Sequence, residues 1–415
     1  MADGTSQEPP GDPRAAVLLP GAMPEGPVGV AVSGGSDSIA LLLLLRARGV
    51  PVAVATVDHG LRPEAAAEAR TVAALCARLS VAHDTLTISP LARGNLAARA
   101  REARLGALAG WAEARGLATL ALGHTRDDQA ETLLMRLARG SGVDGLAAMA
   151  PKRKAYGVTL WRPLLDTMRA DLRAWLTAQG VPWIDDPSNE DPTSERVRAR
   201  LAVAALGLDT RRLAQTAERM TRARVALEEA TVTLAKASAT AHAIGSVTLR
   251  IASLQTAPQE ITLRLLAHAL GWVGAKPYRP REDALSRLAE GLAAGLGGTL
   301  HGCEVFVSRG AATVVREWAA MAHVGPHVGD GTLYDGRWQL DPIPDGCHVA
   351  PLGPNGWAAL PATARAATPH RQARATPALW RGDELLSAPQ AGMVRAWTCT
   401  LVTPPRDFAT SILSH

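Results

Sequence analysis

Ser33-Gly34-Gly35-Ser36-Asp37-Ser38 constrains the folding of this 415-residue chain more than any other stretch. It follows the apolar, β-branched run Val28–Val32 and leads into Ile39 and Leu41–Leu45. A strand that turns on two glycines straight into a helix gathers its amides into a small concavity. Small residues let that concavity close on an anion, and the helix N-terminus adds partial positive charge. Asp37 supplies a carboxylate able to coordinate Mg2+ between phosphates. The Gly-Lys-Ser/Thr of a Walker loop is absent. Ser-Gly-Gly alone would be a capped turn. The strand before it, the helix after it and Asp37 make it a phosphate-binding loop.

The surroundings repeat the strand–helix theme. Strand candidates Val28–Val32, Val52–Val57, His83–Ile88 and Leu117–Leu122 alternate with helical stretches Ser38–Arg48, Glu64–Leu79, Asn95–Arg115 and Asp127–Leu137. That alternation predicts a parallel sheet with helices on both faces, and ligands beyond the carboxyl ends of its strands. Asp58 and His59 end the second strand; His124 ends the fourth. At 100° per residue, His124, Asp128 and Glu131 share a helical face within about 60°, with Ala130, Leu133, Leu134 and Leu137 opposite to pack on the sheet. A histidine with two carboxylates can hold an ammonium group or move a proton. His124 and Asp128 alone fall short of the three ligands usual for catalytic zinc. Arg101 and Arg104, three apart, present one face suited to phosphate.

Composition adds a partner class. Only four of the 44 basic residues are lysine: Lys152, Lys154, Lys236 and Lys276. Between Thr193 and Val225, eight arginines, Arg196, Arg198, Arg200, Arg211 and Arg212 among them, face three carboxylates; that surplus equals the whole chain's +5. Such a stretch is either a solvated helical face or the footprint of nucleic acid. Cys76, Cys303, Cys347 and Cys399 are too scattered for a disulfide framework or zinc site, which predicts a reducing, cytoplasmic setting. The longest apolar run, Ile39–Leu45, is too short to span a bilayer. The acidic, proline-containing residues 1–26 read as a disordered tail rather than a signal peptide.

Beyond Pro192 the pattern changes. Thr210–Ala243 is a glycine-free amphipathic helical stretch, Val247–Ile251 is β-rich, and helices follow near Gln259–Leu270 and Arg281–Leu292. Gly302–Arg316 reads as a hairpin, and Ala319–His415 as a small β-containing piece. The expected division is an α/β domain bearing the phosphate loop over 27–208, a helical partner- or substrate-binding domain with a hairpin over 209–318, and a small C-terminal domain over 319–415.

Further motifs carry a family resemblance. They are Val57-Asp58-His59-Gly60-Leu61-Arg62; Asn95 with Ala100-Arg101 and Arg104; Leu122 through Thr132; Arg139-Gly140-Ser141-Gly142-Val143-Asp144-Gly145-Leu146; Arg162-Pro163-Leu164-Leu165; and Trp183-Ile184-Asp185-Asp186-Pro187-Ser188-Asn189. With Ser33–Ser38 they resemble the bacterial tRNA(Ile)-lysidine synthetases of the N-type ATP pyrophosphatase superfamily, most specifically over 28–200. The resemblance implies an α/β, adenine nucleotide α-hydrolase-like parallel-sheet domain using ATP and Mg2+. It implies ATP contacts from Ser33, Gly34, Gly35, Ser36, Asp37, Ser38 and Asp58, with Asp37 as metal ligand. Catalytic roles fall to Asp37, His124, Asp128 and Glu131, and tRNA contacts to Arg101, Arg104, Arg196, Arg198 and Arg200. The implied reaction adenylates the C2 oxygen of the wobble cytidine in tRNA(Ile) with a CAU anticodon. The ε-amine of free L-lysine then displaces AMP, and the Asp128–Glu131 face either orients lysine or takes its proton. No membrane or protein partner is implied, and a homodimer stays open.

The chain departs from the family pattern in three places. Val197 and Ala199 replace the asparagine and isoleucine of an Arg-Asn-x-Ile-Arg stretch, Leu105 replaces an aromatic, and the C-terminal piece is short. Two rivals compete with the ligase. A tRNA cytidine thiolase would need paired cysteines. A non-catalytic, ATP-regulated RNA-binding protein would not need His124, Asp128 and Glu131 together.

Overall fold

The computed structural model describes residues 12–58, 63–88, 96–185, 191–276, 278–321, 324, 327, 333–402 and 407–413. Packing divides the chain into two units, up to Arg224 and from Val225 on.

The first unit begins with α1 (Pro13–Leu18), β1 (Val28–Ala31), α2 (Ser36–Ala47), β2 (Val52–Asp58), α3 (Pro63–Arg78), β3 (Ala82–Thr87), α4 (Leu96–Ala114), β4 (Thr119–Leu122) and α5 (Arg126–Ala138). All eight expected strands and helices of this region are present. Next come α6 (Val143–Leu146), β5 (Lys152–Ala155), β6 (Val158–Trp161), α7 (Arg169–Ala178), α8 (Glu195–Ala205) and α9 (Thr210–Ser238), inside which the unit boundary falls. The sheet order is β3-β2-β1-β4-β6-β5. Every neighbouring pair is parallel except the edge pair β5–β6. The chain leaves β1 for β2 on one side and returns at β4 on the other. The connections at these two strand ends therefore diverge and open a crevice.

β1 is buried at all four positions because helices cover both faces. On one face, Leu41, Leu44 and Leu45 of α2 pack with Leu172, Trp175 and Leu176 of α7. On the other, Leu108 and Trp111 of α4 pack with Leu120 and Leu160. Each such side chain contributes about 1.5–3 kcal/mol on burial, so α2 is anchored by its apolar residues and its N-terminus faces the crevice.

The tail is shorter than the sequence implies. Asp12 accepts the Arg14 amide at 2.9 Å and the Trp175 indole at 2.6 Å, and Ala15 and Leu19 join the α2–α7 core. A disordered reading therefore fails from residue 12 on. The apolar side of α5 differs too. Leu137 is exposed, and Leu133 packs with Leu146, Ala148, Leu213 and Ala217 rather than on the sheet.

In the second unit, β7 (Ala239–Ala241), β8 (Val247–Arg250), β9 (Gly298–Leu300), β10 (Cys303–Ser308) and β11 (Ala311–Arg316) form an antiparallel sheet ordered β7-β8-β11-β10-β9. It shares a core with α11 (Gln259–Gly274) and α12 (Glu282–Ala293), which follow the short α10 (Ile251–Thr256). Phe408 and Ile412 return to this core, so packing does not follow the expected boundary at 318/319. The remainder holds a three-stranded and a two-stranded sheet. Among the described residues, no helix is long and apolar enough to cross a membrane.

Candidate active site

The loop after β1 has the geometry of an anion cradle. Gly34 takes φ +92°, and a Cβ there would come within 2.8 Å of Ile184, so glycine is required twice over. Gly35 sits at the N-cap of α2 and provides no side-chain cap, which leaves the first-turn amides to a ligand. The Ser38 hydroxyl ties the loop shut, accepting from the Ser33 amide at 3.2 Å and donating to the Gly35 carbonyl at 2.9 Å. Ile184 donates its amide to the Gly34 carbonyl at 2.9 Å, so the Trp183–Asp185 segment touches the loop. Gly123, leaving β4, lies so close to α2 that a Cβ would meet the Asp37 carbonyl oxygen at 3.0 Å. The two strand connections thus meet at the crevice.

Past Gly123 the chain reaches Thr125, the N-cap of α5. His124 therefore precedes the helix instead of sharing its face. Its ring lies near Asp128 all the same, and Nδ1 is buried with no partner among the described residues. Burial pushes its pKa down to about 3, so the ring is neutral at physiological pH. Asp128 has a split role. Its Oδ2 accepts the Thr125 amide at 2.8 Å and hydroxyl at 2.9 Å as a cap, while Oδ1 faces Arg196 at 3.4 Å. Burial opposes its charge, but Arg169, Arg196 and the Thr125 amide hold its pKa below the ordinary carboxylate value. Glu131 is less committed to backbone. Arg200 Nε reaches its Oε1 at 2.8 Å, and Arg196 Nε lies 3.4 Å from Oε2. Burial nonetheless raises its pKa.

The centre of the site is Arg169, which the sequence reading did not single out. Its Nε bonds Asp37 Oδ2 at 2.8 Å, and its terminal nitrogens lie 3.4 Å from Asp128 and 3.6 Å from Glu131. Burial works against its charge, yet the three carboxylates raise its pKa above the usual arginine value. Its placement follows from a side-chain cap, since Asp127 accepts the Arg169 amide at 2.8 Å and fixes the start of α7 against α5. Arg173, one turn on, donates to the Ser36 hydroxyl at 3.2 Å and pairs with Asp185 at 2.6 Å. The amphipathic pattern of Leu172, Trp175 and Leu176 could have revealed both, because it leaves Arg169 and Arg173 four apart beside the loop.

Helical periodicity also sorts the three of the five expected tRNA contacts that lie on α8. Arg196 and Arg200, four apart on α8, turn inward onto Asp128 and Glu131 because α8 packs against α5. In the free protein both are engaged by carboxylates. Arg198 points away and bonds the carbonyls of Thr193 at 2.7 Å and Pro192 at 3.2 Å. Arg101 and Arg104 have no ion pair among the described residues, and burial lowers both pKa values. Asp58 ends β2, the strand beside β1, as expected. His59, Asn95 and 186–189 lie outside the described residues.

Among the described residues no group of three or more His, Cys, Asp or Glu could hold a metal. Asp37 offers one carboxylate beside the anion cradle. That set suits a Mg2+ carried by phosphates and water, not a cage built from protein alone. All four cysteines are free and buried.

Comparison with known proteins shows the family. A family model described as a PP-loop domain matches residues 16–206. A tRNA(Ile)-lysidine synthase of Ruegeria pomeroyi is 44% identical over 403 residues, spanning 95% of this chain and 96% of the relative. The enzyme of the same name from Methylobacterium nodulans is 43% identical over 315 residues, spanning 72% and 92% respectively. That of Bradyrhizobium diazoefficiens is 42% identical over 286 residues, spanning 64% and 79%.

Proposed function

The chain belongs to the tRNA(Ile)-lysidine synthase family, and from that premise we propose how its crevice forms lysidine. The activity is that of an ATP-dependent ligase acting on tRNA. The observation that carries the reading is the meeting of the β1 anion cradle with the Asp37, Asp128 and Glu131 carboxylates around Arg169.

The pyrophosphate part of ATP occupies the first-turn amides of α2 and the Ser33, Ser36 and Ser38 hydroxyls, with Asp58 toward the nucleoside. Asp37 would hold a nucleotide-borne Mg2+, which offsets phosphate charge when bound. The C2 oxygen of the wobble cytidine attacks the α-phosphate, forming an O–P bond as pyrophosphate leaves. This turns a poor leaving oxygen into a phosphate ester. The ε-amine of free lysine then forms the C2–N bond, and AMP departs with the C2–O bonding electrons. The cytidine is within reach because an anticodon loop is single-stranded.

Lysine's ammonium, with an ordinary pKa of about 10.4, must lose a proton before it attacks. His124 is a weak acceptor, since burial holds its pKa at about 3. Asp128 is held ionised by its cap and arginines. Glu131, whose pKa burial raises, is the better matched proton acceptor. We assign Glu131 the amine, Asp128 a positioning role, and Arg101 and Arg104 the tRNA phosphates. The middle segment 209–318 is assigned to further tRNA contact, and the setting is the cytoplasm.

The test is incorporation. Wild-type protein with ATP, Mg2+, labelled L-lysine and a tRNA(Ile) transcript bearing CAU should yield labelled tRNA and AMP. Absence of label in tRNA, with ATP binding intact, would refute the ligase reading.

A further inference from the structure

The β5–β6 hairpin carries a cluster that the catalytic reading leaves unused. β5 contributes Lys152, Arg153 and Lys154, all exposed, on the antiparallel edge of the sheet. Half of the chain's four lysines are here. None of the three basic residues has an ion pair with any described residue. Their positive charge continues inward, because Arg153 raises the potential at Arg101 and Arg162, and Arg101 in turn neighbours Arg196 and Asp128. A basic track therefore runs from the sheet edge through Arg101 toward the crevice, where Arg196 is paired with Asp128 and Glu131.

The turn supplies a second, independent observation. Tyr156 and Gly157 form a two-residue loop with φ +54° and +79°. Both central residues of such a turn lie in the left-handed region, where asparagine, aspartate or glycine is preferred. An aromatic residue there is strained, and Tyr156 is 46% exposed, so packing does little to compensate. Charge on an edge strand can by itself guard against edge-to-edge pairing. That role has no need of a strained, exposed tyrosine beside it.

We propose that the β5–β6 hairpin is an RNA-contacting arm, with Lys152, Arg153 and Lys154 on the phosphates of the tRNA and Tyr156 stacked on an unpaired base. The inference rests on the reading of the chain as a tRNA-modifying enzyme. Cations with an interleaved aromatic are what a single-stranded segment requires, phosphates for the first and a base face for the second.

Two full-length variants test it against an anticodon stem-loop RNA bearing CAU. Combined Lys152→Ala and Lys154→Ala should weaken binding and make the plot of log affinity against log salt shallower by about 0.7–0.9 per lost contact. Tyr156→Asn separates recognition from architecture, because asparagine suits the turn. It should raise the melting temperature while weakening RNA binding about tenfold. ATP binding should be unchanged in both. Unchanged affinity and salt slope in the lysine variant would remove the hairpin from the interface. Unchanged affinity in a stabilised Tyr156→Asn would show that the tyrosine stacks on nothing. Failure of the wild-type chain to bind any tRNA would overturn the family-level reading as well, an outcome distinct from either.

Discussion

The buried, neutral His124 should give the protein a measurable acid sensitivity that one substitution removes. The groups facing it are Asp128, Arg162, Arg101 and Arg196; burial, reinforced by the three arginines, outweighs the Asp128 carboxylate and pushes its pKa down to about 3. In the unfolded chain the same imidazole titrates near the usual value of about 6.5. Between those values the unfolded state binds a proton that the folded state refuses. Its contribution is therefore fully present above about pH 6.5 and is lost as pH falls toward 3. The slope approaches about 1.4 kcal/mol per pH unit. From pH 6.5 to 5 the loss is roughly 2 kcal/mol, or about 4–8 °C in melting temperature for a unit of this size. His124→Asn keeps hydrogen-bonding atoms but does not titrate. Asp37 and Glu131, whose pKa values burial raises, bias stability the opposite way but do so in both proteins. In thermal melts the stability of wild type relative to the variant should fall by roughly 2 kcal/mol between pH 7.5 and pH 5. Parallel curves over that range would refute a neutral, desolvated His124.

Three other outcomes follow from the charge cluster. Arg169→Met strands Asp37, Asp128 and Glu131 without their shared cation and should cost about 3–5 kcal/mol; adding Glu131→Gln should recover at least about 1 kcal/mol, and strict additivity in a double-mutant cycle would contradict a shared network. Asp37→Ala should reduce pyrophosphate release by orders of magnitude, whereas near-normal release with an unchanged melt would make Asp37 only a helix-start carboxylate. Glu131→Gln should raise the lysine KM or abolish transfer while cytidine adenylation survives in part; simultaneous loss of both half-reactions would move Glu131 to the ATP side.

The parallel sheet was legible because its central strands β1 and β4 are apolar runs buried on both faces, and because β-branched β2 and the half-exposed edge strand β3 fall between clear helical stretches. Ser33–Ser38 was legible for a related reason. Gly34 must adopt a positive φ and Gly123 must admit the α2 backbone, so chemistry and sterics leave their mark on single positions. β5 and β6 escaped notice because Lys152-Arg153-Lys154 has neither alternation nor β-branching. Only pairing with the buried Val158–Trp161 strand makes it extended. The first turn of α5 misled because a 100° step assumes helix, and Thr125 starts that helix one residue after His124.

The partners of the arginines were not legible, and the reason is physical. A guanidinium at 196 or 200 reads the same in sequence whether it meets phosphate or carboxylate. The choice depends on which helix α8 packs against, and it packs against α5, where Asp128 and Glu131 are already desolvated. Those carboxylates need cations, for an unpaired buried charge costs several kcal/mol. Arg169, Arg196 and Arg200 supply them in the free protein. Any ligand that draws an arginine toward its own phosphates must leave another cation at Glu131, and the ammonium of lysine is one. On the proposed reading, the ion pairs that stabilise the crevice are complementary, half by half, to an anionic nucleotide and a cationic amino acid. That correspondence explains why so many charges are buried at a place where an apolar core would have been the more stable solution.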